Sequence, residues 1–268
     1  MKNLRFAAGV ISIALLLLAF GMVRLGALQQ TAAPGPPVLV ELFTSEGCSS
    51  CPPADDLLAQ IERKIPNAVV LSEHVTYWNN GGWHDPFSLD ESTARQADYV
   101  ERLKLEASYT PQMIVGGRYG FVGSNAQAAS QALARDAAQP RVPVNIENLT
   151  TGSDGRVSFS VRTGAVPSSA QLLVVMAQNE GSKHISNGEN GGRTLTHVQI
   201  ARSFLVAAKI KNGASYSGNL SVALPQPIAG SGFHLVAFLE QGRGGPILGV
   251  ASQGVQAGSS SLPVKNGE

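Results

Sequence analysis

The sequence predicts an α/β half followed by an all-β half, and three observations support this fold class. Strand and helix patterns alternate between residues 38 and 138, helical periodicity ends near residue 140, and strand-like runs separated by turns fill the rest. The chain has 268 residues, of which 43% are hydrophobic and 15% are charged. This balance is typical of a globular protein and excludes a largely disordered chain.

The first half predicts the element order β-α-β-α-β-β-α. Residues 38–43 form a short apolar run that is typical of a buried strand. A helix is expected to begin at Pro52, because the first turn of a helix tolerates proline, and to end before Pro66. The later elements are a strand at 68–73, a helix at 92–105, a hairpin of 112–115 and 118–122, and an Ala-rich helix at 124–138.

The second half predicts an antiparallel, β-sandwich-like domain. Short strands with Gly, Asn or Pro turns between them are typical of sandwiches and partial barrels. The strand-like segments are residues 142–149, 157–161, 171–177, 194–209, 220–224, 234–240 and 247–251. We therefore expect an α/β domain over 34–140, a β-sandwich-like domain over 141–257 and a disordered tail at 258–268.

Residues 1–33 have the features of an export segment followed by a linker. Lys2 and Arg5 precede an uninterrupted apolar run over 6–23. The run predicts either a cleaved signal peptide or a retained anchor in the inner membrane, and the sequence leaves both alternatives open. Either alternative places the folded part outside the cytoplasm, periplasmic or secreted, where disulfides persist.

Charge and cysteine content exclude several kinds of protein. The net charge is +1 and no basic cluster occurs, so binding to nucleic acid through its phosphates is not expected. Two cysteines exclude a scaffold of several disulfides and a four-cysteine zinc site. The sequence also lacks phosphate-loop, serine-hydrolase and zinc-protease motifs, and it predicts no cofactor. The oligomeric state is left open.

The two cysteines form the motif Cys48-Ser49-Ser50-Cys51, between a buried strand and a helix that begins with proline. The N-terminus of a helix stabilises a thiolate, so we expect Cys48 to be exposed and to attack, and Cys51 to resolve the mixed disulfide. A disulfide across so short a loop stabilises the fold by only about 2 kcal/mol, which favours redox chemistry over a structural role. A permanent local disulfide and a metal site are the alternatives.

Residues 37–138 resemble the thioredoxin fold in element order and in the placement of the cysteine motif. The resemblance implies a cis peptide bond between Thr110 and Pro111, with Pro111 facing the cysteines and shaping the docking edge for substrate. It also places Glu41 where thioredoxins carry a buried carboxylate behind the cysteine pair. The chain departs from thioredoxin in having Gly47 before the first cysteine and a Ser-Ser dipeptide between the two.

Nearly the whole chain after the N-terminal segment is similar to a family of exported bacterial proteins of unknown function. Members often carry Asp at the position of Thr76, so any role of that acid is missing here. The resemblance implies a thioredoxin-like first domain but no established reaction. The matching pieces are residues 40–55, His74-Val75, Tyr77-Trp78, Gly82-Trp83, 85–87, 109–113 and 191–197.

Glu41 lies inside a strand that we expect to be covered on both faces. A buried carboxylate has a raised pKa and can exchange a proton with the second thiol, that of Cys51. The alternative is that Glu41 faces solvent at a strand end or accepts structural hydrogen bonds. The sequence leaves these alternatives open.

The segment 74–89 is predicted to lie near Cys48, because the carboxyl ends of parallel strands meet at one edge of a sheet. Its side chains Trp78 and Trp83, together with Thr110, are predicted to bind a partner peptide. The alternative is that the aromatic residues of this segment pack it onto its own sheet.

Four further polar residues have weaker patterns. His74 and His84 beside two cysteines suggest copper, which binds imidazole and thiolate, but a loop histidine is more often a hydrogen-bond partner, so we predict no metal ligands. Arg193 and His197 lie in a predicted strand and share one face of it. They either line the contact between the two domains or are exposed.

These observations predict an extracytoplasmic thiol–disulfide oxidoreductase that acts on the thiols or disulfides of exported proteins. Cys48 would attack, Cys51 would resolve, and Pro111 would shape the docking edge. One alternative is a non-catalytic envelope protein, binding or structural, that keeps a static disulfide. The other alternative is a copper-handling protein.

Overall fold

The computed structural model describes residues 35–256 except 229 and 231. The export segment expected at 1–33 and the tail expected at 258–268 therefore lie outside the described residues. None of the helices in the described part of the chain is long and apolar enough to span a membrane.

The first half has the predicted order of strands and helices. Asn125 caps the third helix, because its side chain accepts a hydrogen bond from the amide of Ala128 over 3.0 Å. The strands are β1 (Val38–Thr44), β2 (Ala68–His74), β3 (Gln112–Val115) and β4 (Tyr119–Val122). The helices are α1 (Pro52–Lys64), α2 (Asp90–Leu103) and α3 (Ala126–Ala137), and a short 3-10 helix covers Thr76–Trp78.

The described residues after α3 contain only strands and loops. Together with the helices of the first half, these strands confirm the mixed α/β class. The strands are β5 (Val144–Thr151), β6 (Arg156–Thr163), β7 (Ala170–His184), β8 (Thr194–Ile210), β9 (Ser217–Ala223), β10 (Phe233–Glu240) and β11 (Ile247–Val255). β7 continues to His184, past its predicted end at residue 177, because these polar residues still pair with β8.

The strands form two sheets. Eight of them make a mixed sheet in the order β11-β10-β7-β8-β2-β1-β3-β4, and β5-β6-β9 make a smaller sheet. β1 and β2 run parallel, whereas β3 runs antiparallel to β1. β8 joins β2 through a short parallel pairing of Ser72 with Ile200. The large sheet therefore takes strands from both sides of the boundary expected near residue 140.

Alternate residues of β1 pack against different layers on the two faces of the sheet, and the strand is buried along its whole length. Val40 and Leu42 pack against α1 and α3 in one hydrophobic core. Leu39 packs with residues of β2, β7 and β10 on the opposite face, where Phe43 meets Tyr99 of α2. β1 is thus covered on both faces, as predicted.

The small sheet covers one face of β7 and β10. Val157, Phe159 and Val161 of β6 pack with Leu172 of β7 and Leu235 of β10 in a shared hydrophobic core. Two layers of strands with their apolar faces together are the arrangement of a β-sandwich. This part of the protein therefore buries one face of β7 and β10 by packing strands against strands.

The carboxyl ends of β1 and β2 lie side by side, with Thr44 paired to His74. The loop after β1 carries the cysteine motif, and the segment after β2 carries both tryptophans. Reactive groups collect at this edge in open α/β sheets. The candidate site is therefore built at the ends of these two strands.

Candidate functional site

Cys48 and Cys51 form a disulfide at the start of α1. Cys51 is the N-cap of α1 and has helical backbone angles, and Pro52 and Pro53 follow it in the first turn. The amide of Cys48 donates to the Ser45 carbonyl oxygen (3.1 Å), and the amide of Cys51 donates to the Cys48 carbonyl oxygen (3.2 Å). The pair therefore lies between strand and helix, as the sequence indicates.

Both cysteines are 0% exposed, whereas Ser49 and Ser50 between them face solvent. The expectation that Cys48 is the exposed thiol is therefore wrong for this conformation. The physical reason is a loop from the second half of the chain that lies over the motif. No local pattern around the cysteines could have placed that loop.

The covering loop comprises residues 185–193, between β7 and β8, and we call it the cap. Asn190 is buried, and its Nδ2 donates hydrogen bonds to the carbonyl oxygens of Glu46 and Cys48, each over 2.9 Å. Arg193 Nη1 donates to Asn190 Oδ1 over 2.8 Å, which orients the amide so that Nδ2 faces the motif. The cap is thus hydrogen-bonded to the backbone beside the disulfide.

The cap also touches the motif at an exposed point. Glu189 Oε2 accepts hydrogen bonds from the amide (3.0 Å) and the hydroxyl (2.7 Å) of Ser49, and these bonds lower the pKa of Glu189. The loop closes on itself, because Ile185 N donates to Arg193 O (2.9 Å) and Gly192 N donates to Ile185 O (2.8 Å). The cap therefore has internal hydrogen bonds in addition to those that join it to the motif.

The peptide bond between Thr110 and Pro111 is cis, as the resemblance implies, and Pro111 is buried. Trp78 Nε1 donates to Thr110 Oγ1 over 2.7 Å. A Cβ added at Gly47 would lie 3.3 Å from the Cβ of Trp78, so Trp78 leaves little room for a side chain before Cys48. The structure thus brings Trp78 and Thr110 together beside the cysteine loop.

Two further aromatic residues of segment 74–89, Trp83 and Phe87, make contacts inside the protein, whereas Tyr77 is exposed. Trp83 Nε1 donates to Glu46 Oε2 over 2.8 Å. Phe87 is fully buried, and its ring centre lies 5.4 Å from that of His74 and 5.9 Å from that of His197. These contacts support the alternative in which the aromatic residues pack the segment onto its sheet.

Five buried side chains form what we call the histidine cluster: Glu46, Asp55, His74, Asp85 and His197. His74 Nδ1 and Asp85 Oδ2 are hydrogen-bonded at 2.7 Å. The His74 and His197 rings meet edge to face, with 4.5 Å between their centres. His197 lies between two acids, with Nε2 at 3.7 Å from Glu46 Oε1 and Nδ1 at 3.6 Å from Asp55 Oδ1. His197 is therefore an interior residue and not an exposed strand residue.

Charges within the histidine cluster shift two pKa values. Burial alone would lower the pKa of His197, but Asp55, Glu46 and Asp85 outweigh burial and raise it to about 10. Burial would raise the pKa of Asp85, but His74 and two backbone amides lower it to about 2. At neutral pH His197 is therefore an imidazolium and Asp85 a carboxylate.

Several polar atoms of the histidine cluster are buried without a hydrogen-bond partner. Such atoms are uncommon, because each costs about 1–3 kcal/mol. They are Glu46 Oε1, both carboxylate oxygens of Asp55, His74 Nε2 and both ring nitrogens of His197. Within the described residues, no group of three or more His, Cys, Asp or Glu side chains could hold a metal ion. The cluster therefore gives the copper alternative no support.

A second set of buried polar side chains lies against α2, and we call it the arginine cluster: Glu41, Glu73, Arg95, Tyr99 and Glu240. Arg95 donates to Glu41 Oε1 over 2.5 Å and to Glu240 Oε1 over 2.8 Å. Tyr99 accepts from Arg95 over 2.6 Å and donates to Glu41 Oε2 over 2.5 Å. Glu73 Oε1 lies 3.7 Å from Arg95 Nε. Three carboxylates thus share one guanidinium.

This surplus of carboxylates shifts the pKa values within the arginine cluster. Burial, reinforced by Glu41, raises the pKa of Glu73 well above its usual range. Burial also raises the pKa of Glu240 and raises that of Tyr99 well above its usual range. Glu73 therefore holds its proton to a higher pH than an ordinary glutamate does.

Glu41 is fully buried, as predicted for a strand covered on both faces. Its hydrogen bonds go to Arg95 and Tyr99, and among the described contacts none joins it to a cysteine. This arrangement supports the structural alternative for Glu41 over proton exchange with Cys51.

Sequence reasoning missed the residues that surround the motif in space. Asp55 lies in the first turn of a helix, where acids are common because they complement the positive end of the helix dipole. That position does not indicate whether the side chain is buried. Asn190 and Glu189 lie in a loop rich in Gly and Asn, a pattern that indicates only a turn. Arg95 did carry a signal, because it lies four residues before Tyr99 on one face of a helix, and an arginine on a buried face needs an acid as partner.

Comparisons with known proteins support a family but no activity. The sequence profile of a family described as "Protein of unknown function (DUF1223)" matches residues 39–240. None of the curated proteins matches the chain. A crystal structure of a protein from Agrobacterium tumefaciens is 25% identical, has a TM-score of 0.64 and is aligned over 82% of this chain and 95% of that chain. This chain is therefore similar in fold to that protein.

A second solved structure is similar to a much smaller degree. It is an alkylpurine DNA glycosylase from Pseudomonas fluorescens bound to DNA containing an abasic site analogue. The identity is 14%, the TM-score is 0.23, and the alignment covers 63% of this chain and 40% of that chain. A likeness this weak carries no argument about the fold or the function of this chain.

Proposed function

The chain belongs to this family of proteins of unknown function (DUF1223), and on that premise we propose that it is an extracytoplasmic thiol–disulfide oxidoreductase whose disulfide is exposed when the cap opens. The observation that carries the proposal is the Cys48–Cys51 disulfide at the start of α1, covered by a hydrogen-bonded loop. Cys48 is the attacking sulfur and Cys51 the resolving sulfur.

The start of α1 favours a thiolate at Cys48. Free amide groups at a helix N-terminus stabilise negative charge and lower the pKa of a nearby thiol. Ser50 Oγ lies 3.3 Å from Cys48 Sγ, so its hydroxyl can donate to the thiolate that forms when the disulfide breaks. No other described residue is hydrogen-bonded to either sulfur.

Opening the cap is energetically accessible. The cap holds the motif by two hydrogen bonds from Asn190 and two accepted by Glu189, and the pair at Glu189 is exposed. A hydrogen bond contributes about 0.5–1.5 kcal/mol net, so opening costs a few kcal/mol. A state that lies a few kcal/mol higher is populated at about 0.1–10%, which is enough for exchange.

We extend the proposal to a thioredoxin-like role for residues 37–138. The element order, the parallel pair β1–β2, and the antiparallel β3 beside β1 support it. Trp78 and Thr110, joined by a hydrogen bond beside the cysteine loop, together with Pro111 form the edge on which a substrate chain docks. Trp83 is hydrogen-bonded to Glu46, two residues before Cys48.

One rival function is supported by a specific observation, namely the complete burial of both cysteines. A non-catalytic envelope protein with a static disulfide would also bury its sulfurs and would keep the cap closed. In that case the four hydrogen bonds of the cap would serve stability. The two functions differ in whether the disulfide reacts in the folded protein.

The substrates that we propose are thiols or disulfides of exported proteins. This proposal rests on the basic and apolar pattern of residues 1–23, which is typical of export, and on a disulfide that persists outside the cytoplasm. Membrane attachment through residues 6–23 is part of the same proposal.

Trapping of partners tests the proposed function. Replacing Cys51 with Ser removes the resolving thiol, so mixed disulfides between Cys48 and exported proteins should accumulate and be visible on non-reducing gels. The matched control is Cys48→Ser, which should trap few partners or none. If neither variant traps a partner, the static-disulfide function is correct.

A further inference from the structure

We infer that Asp55 exchanges the proton of the Cys51 thiol during disulfide exchange, and that His197 and Glu46 share this proton with Asp55. The inference rests on the proposed function and names groups for it that lie outside the cysteine motif. His197 is a positioning residue here, because it acts on the sulfur through Asp55.

Geometry places Asp55 one helical turn from Cys51. Cys51 has helical backbone angles (φ −78°, ψ −38°), and the amide of Asp55 donates to the Cys51 carbonyl oxygen over 3.1 Å. Side chains four residues apart lie on the same face of a helix, with about 5–6 Å between their Cβ atoms. Cys51 and Asp55 are both buried, so this shared face points into the protein.

Among the described residues, the His197 ring is the only charged group paired with the Asp55 carboxylate. Both of its oxygens are buried without a hydrogen bond, and the nearest cationic atom is His197 Nδ1 at 3.6 Å. Asp56, the next residue, is exposed. The Asp55 carboxylate is thus paired by charge with His197 while both of its oxygens keep free hydrogen-bonding capacity, which lets it pass a proton between His197 and the sulfur of Cys51.

The charges that face His197 come from every element around it. Glu46 precedes the motif, Asp55 belongs to α1, His74 ends β2, and Asp85 follows in the next segment. The three acids raise the pKa of His197 against the effect of burial, so at neutral pH the ring stores a proton between Glu46 and Asp55.

A substrate dithiol reduces the protein in two steps. A substrate thiolate, whose proton has gone to solvent, forms a bond to Cys48 Sγ, and the bond between the two cysteine sulfurs breaks. Cys51 leaves as a thiolate, and the proton of the His197 imidazolium passes through the Asp55 carboxylate to the Cys51 sulfur, so that His197 becomes neutral and Asp55 remains a carboxylate. The second substrate thiolate then forms the substrate disulfide and releases the Cys48 thiolate, so the substrate is oxidised and the protein is reduced.

The test compares Asp55→Asn with Asp56→Asn, which removes the same charge from the exposed side of the same turn. The oxidised full-length protein is reduced with dithiothreitol between pH 5 and 10, and the free thiols are counted by alkylation and mass. Asp55→Asn should be slower on the order of 100-fold at pH 7 and should lose a limb of the pH profile, as expected for a missing acid–base group. Asp56→Asn should match the wild type.

Three outcomes decide between the claims. If the wild-type disulfide reacts but Asp55→Asn is as fast as Asp56→Asn at every pH, this inference is wrong and the proposed function stands. If the folded wild-type protein is not reduced at all, both are wrong. If Asp55→Asn does not fold, the same measurement is made on His197→Gln, whose pH–rate profile should lose the same limb. His84→Gln is the control, because His84 is exposed. An unchanged pH–rate profile in His197→Gln overturns the inference.

Discussion

The side chain of Asn190 donates a hydrogen bond to the carbonyl oxygen of Cys48 over 2.9 Å, although 142 positions separate the two residues in sequence. The same amide donates to the carbonyl oxygen of Glu46. This single side chain therefore links the all-strand half of the protein to the cysteine motif.

The first prediction concerns the cap. Replacing Asn190 with Ala removes two buried hydrogen bonds, worth together about 2 kcal/mol, so reduction of the disulfide by dithiothreitol should be faster by about thirtyfold. Asn187→Ala is the matched control, because Asn187 lies in the same loop and its amide reaches only Ser186. Equal rates in the two variants would show that the cap does not limit access to the sulfurs.

The second prediction concerns the pH dependence of stability. The pKa of His197 is about 10 in the folded protein, against an ordinary value of 6.5, so the proton stabilises the folded state. This contribution is fully present below about pH 6.5 and is lost as the pH rises through 10. Relative to His197→Gln, the wild type should therefore lose a few kcal/mol of unfolding free energy between pH 7 and 10. Urea unfolding at several pH values measures this difference, and a constant difference would contradict the pKa.

The third prediction concerns the arginine cluster. Replacing Arg95 with Met leaves the buried acids Glu41 and Glu240 without their cation, and the loss of one partner in such a group costs about 3–5 kcal/mol. Glu73→Gln should cost much less than Arg95→Met, because burial raises the pKa of Glu73 and so favours its protonated form, which an amide resembles. Chemical denaturation of both variants checks this. Comparable destabilisation by the two substitutions would mean that Glu73 is ionised in the folded protein.

The fourth prediction concerns the disulfide as a structural link. Its loop is so short that its loss should cost only about 2 kcal/mol, so a variant with both Cys48→Ser and Cys51→Ser should still unfold cooperatively. Thermal unfolding followed by circular dichroism measures this. A double variant that does not fold at all would favour the static-disulfide function.

The sequence was sufficient to predict the strands and helices, because their signals are local. Pro52 begins α1, Asn125 caps α3, and the Gly116-Gly117 turn lies in the β3–β4 hairpin, each through the conformation of one or two residues. A local pattern also indicated that the strand around Glu41 is covered on both faces, although the sequence left open whether Glu41 itself is buried or faces solvent.

The pairing of distant segments was not predictable in the same way. β8 joins the large sheet beside β2 through one parallel pairing at Ser72 and Ile200, and nothing in either strand specifies the other as its partner. That pairing brings His197 between Glu46 and Asp55 and makes it an interior residue. The cap covers Cys48 for the same reason, because the loop that precedes β8 follows the strand to the motif.

The equilibrium reduction potential of the Cys48–Cys51 pair tests the central claim most directly. The folded full-length protein is equilibrated with a series of glutathione redox buffers at pH 7, and the oxidised fraction is measured by alkylation. A pair that exchanges with substrates should have a midpoint between about −120 and −270 mV. A midpoint below about −300 mV would show a disulfide that resists reduction in its compartment, and it would contradict the proposed oxidoreductase function.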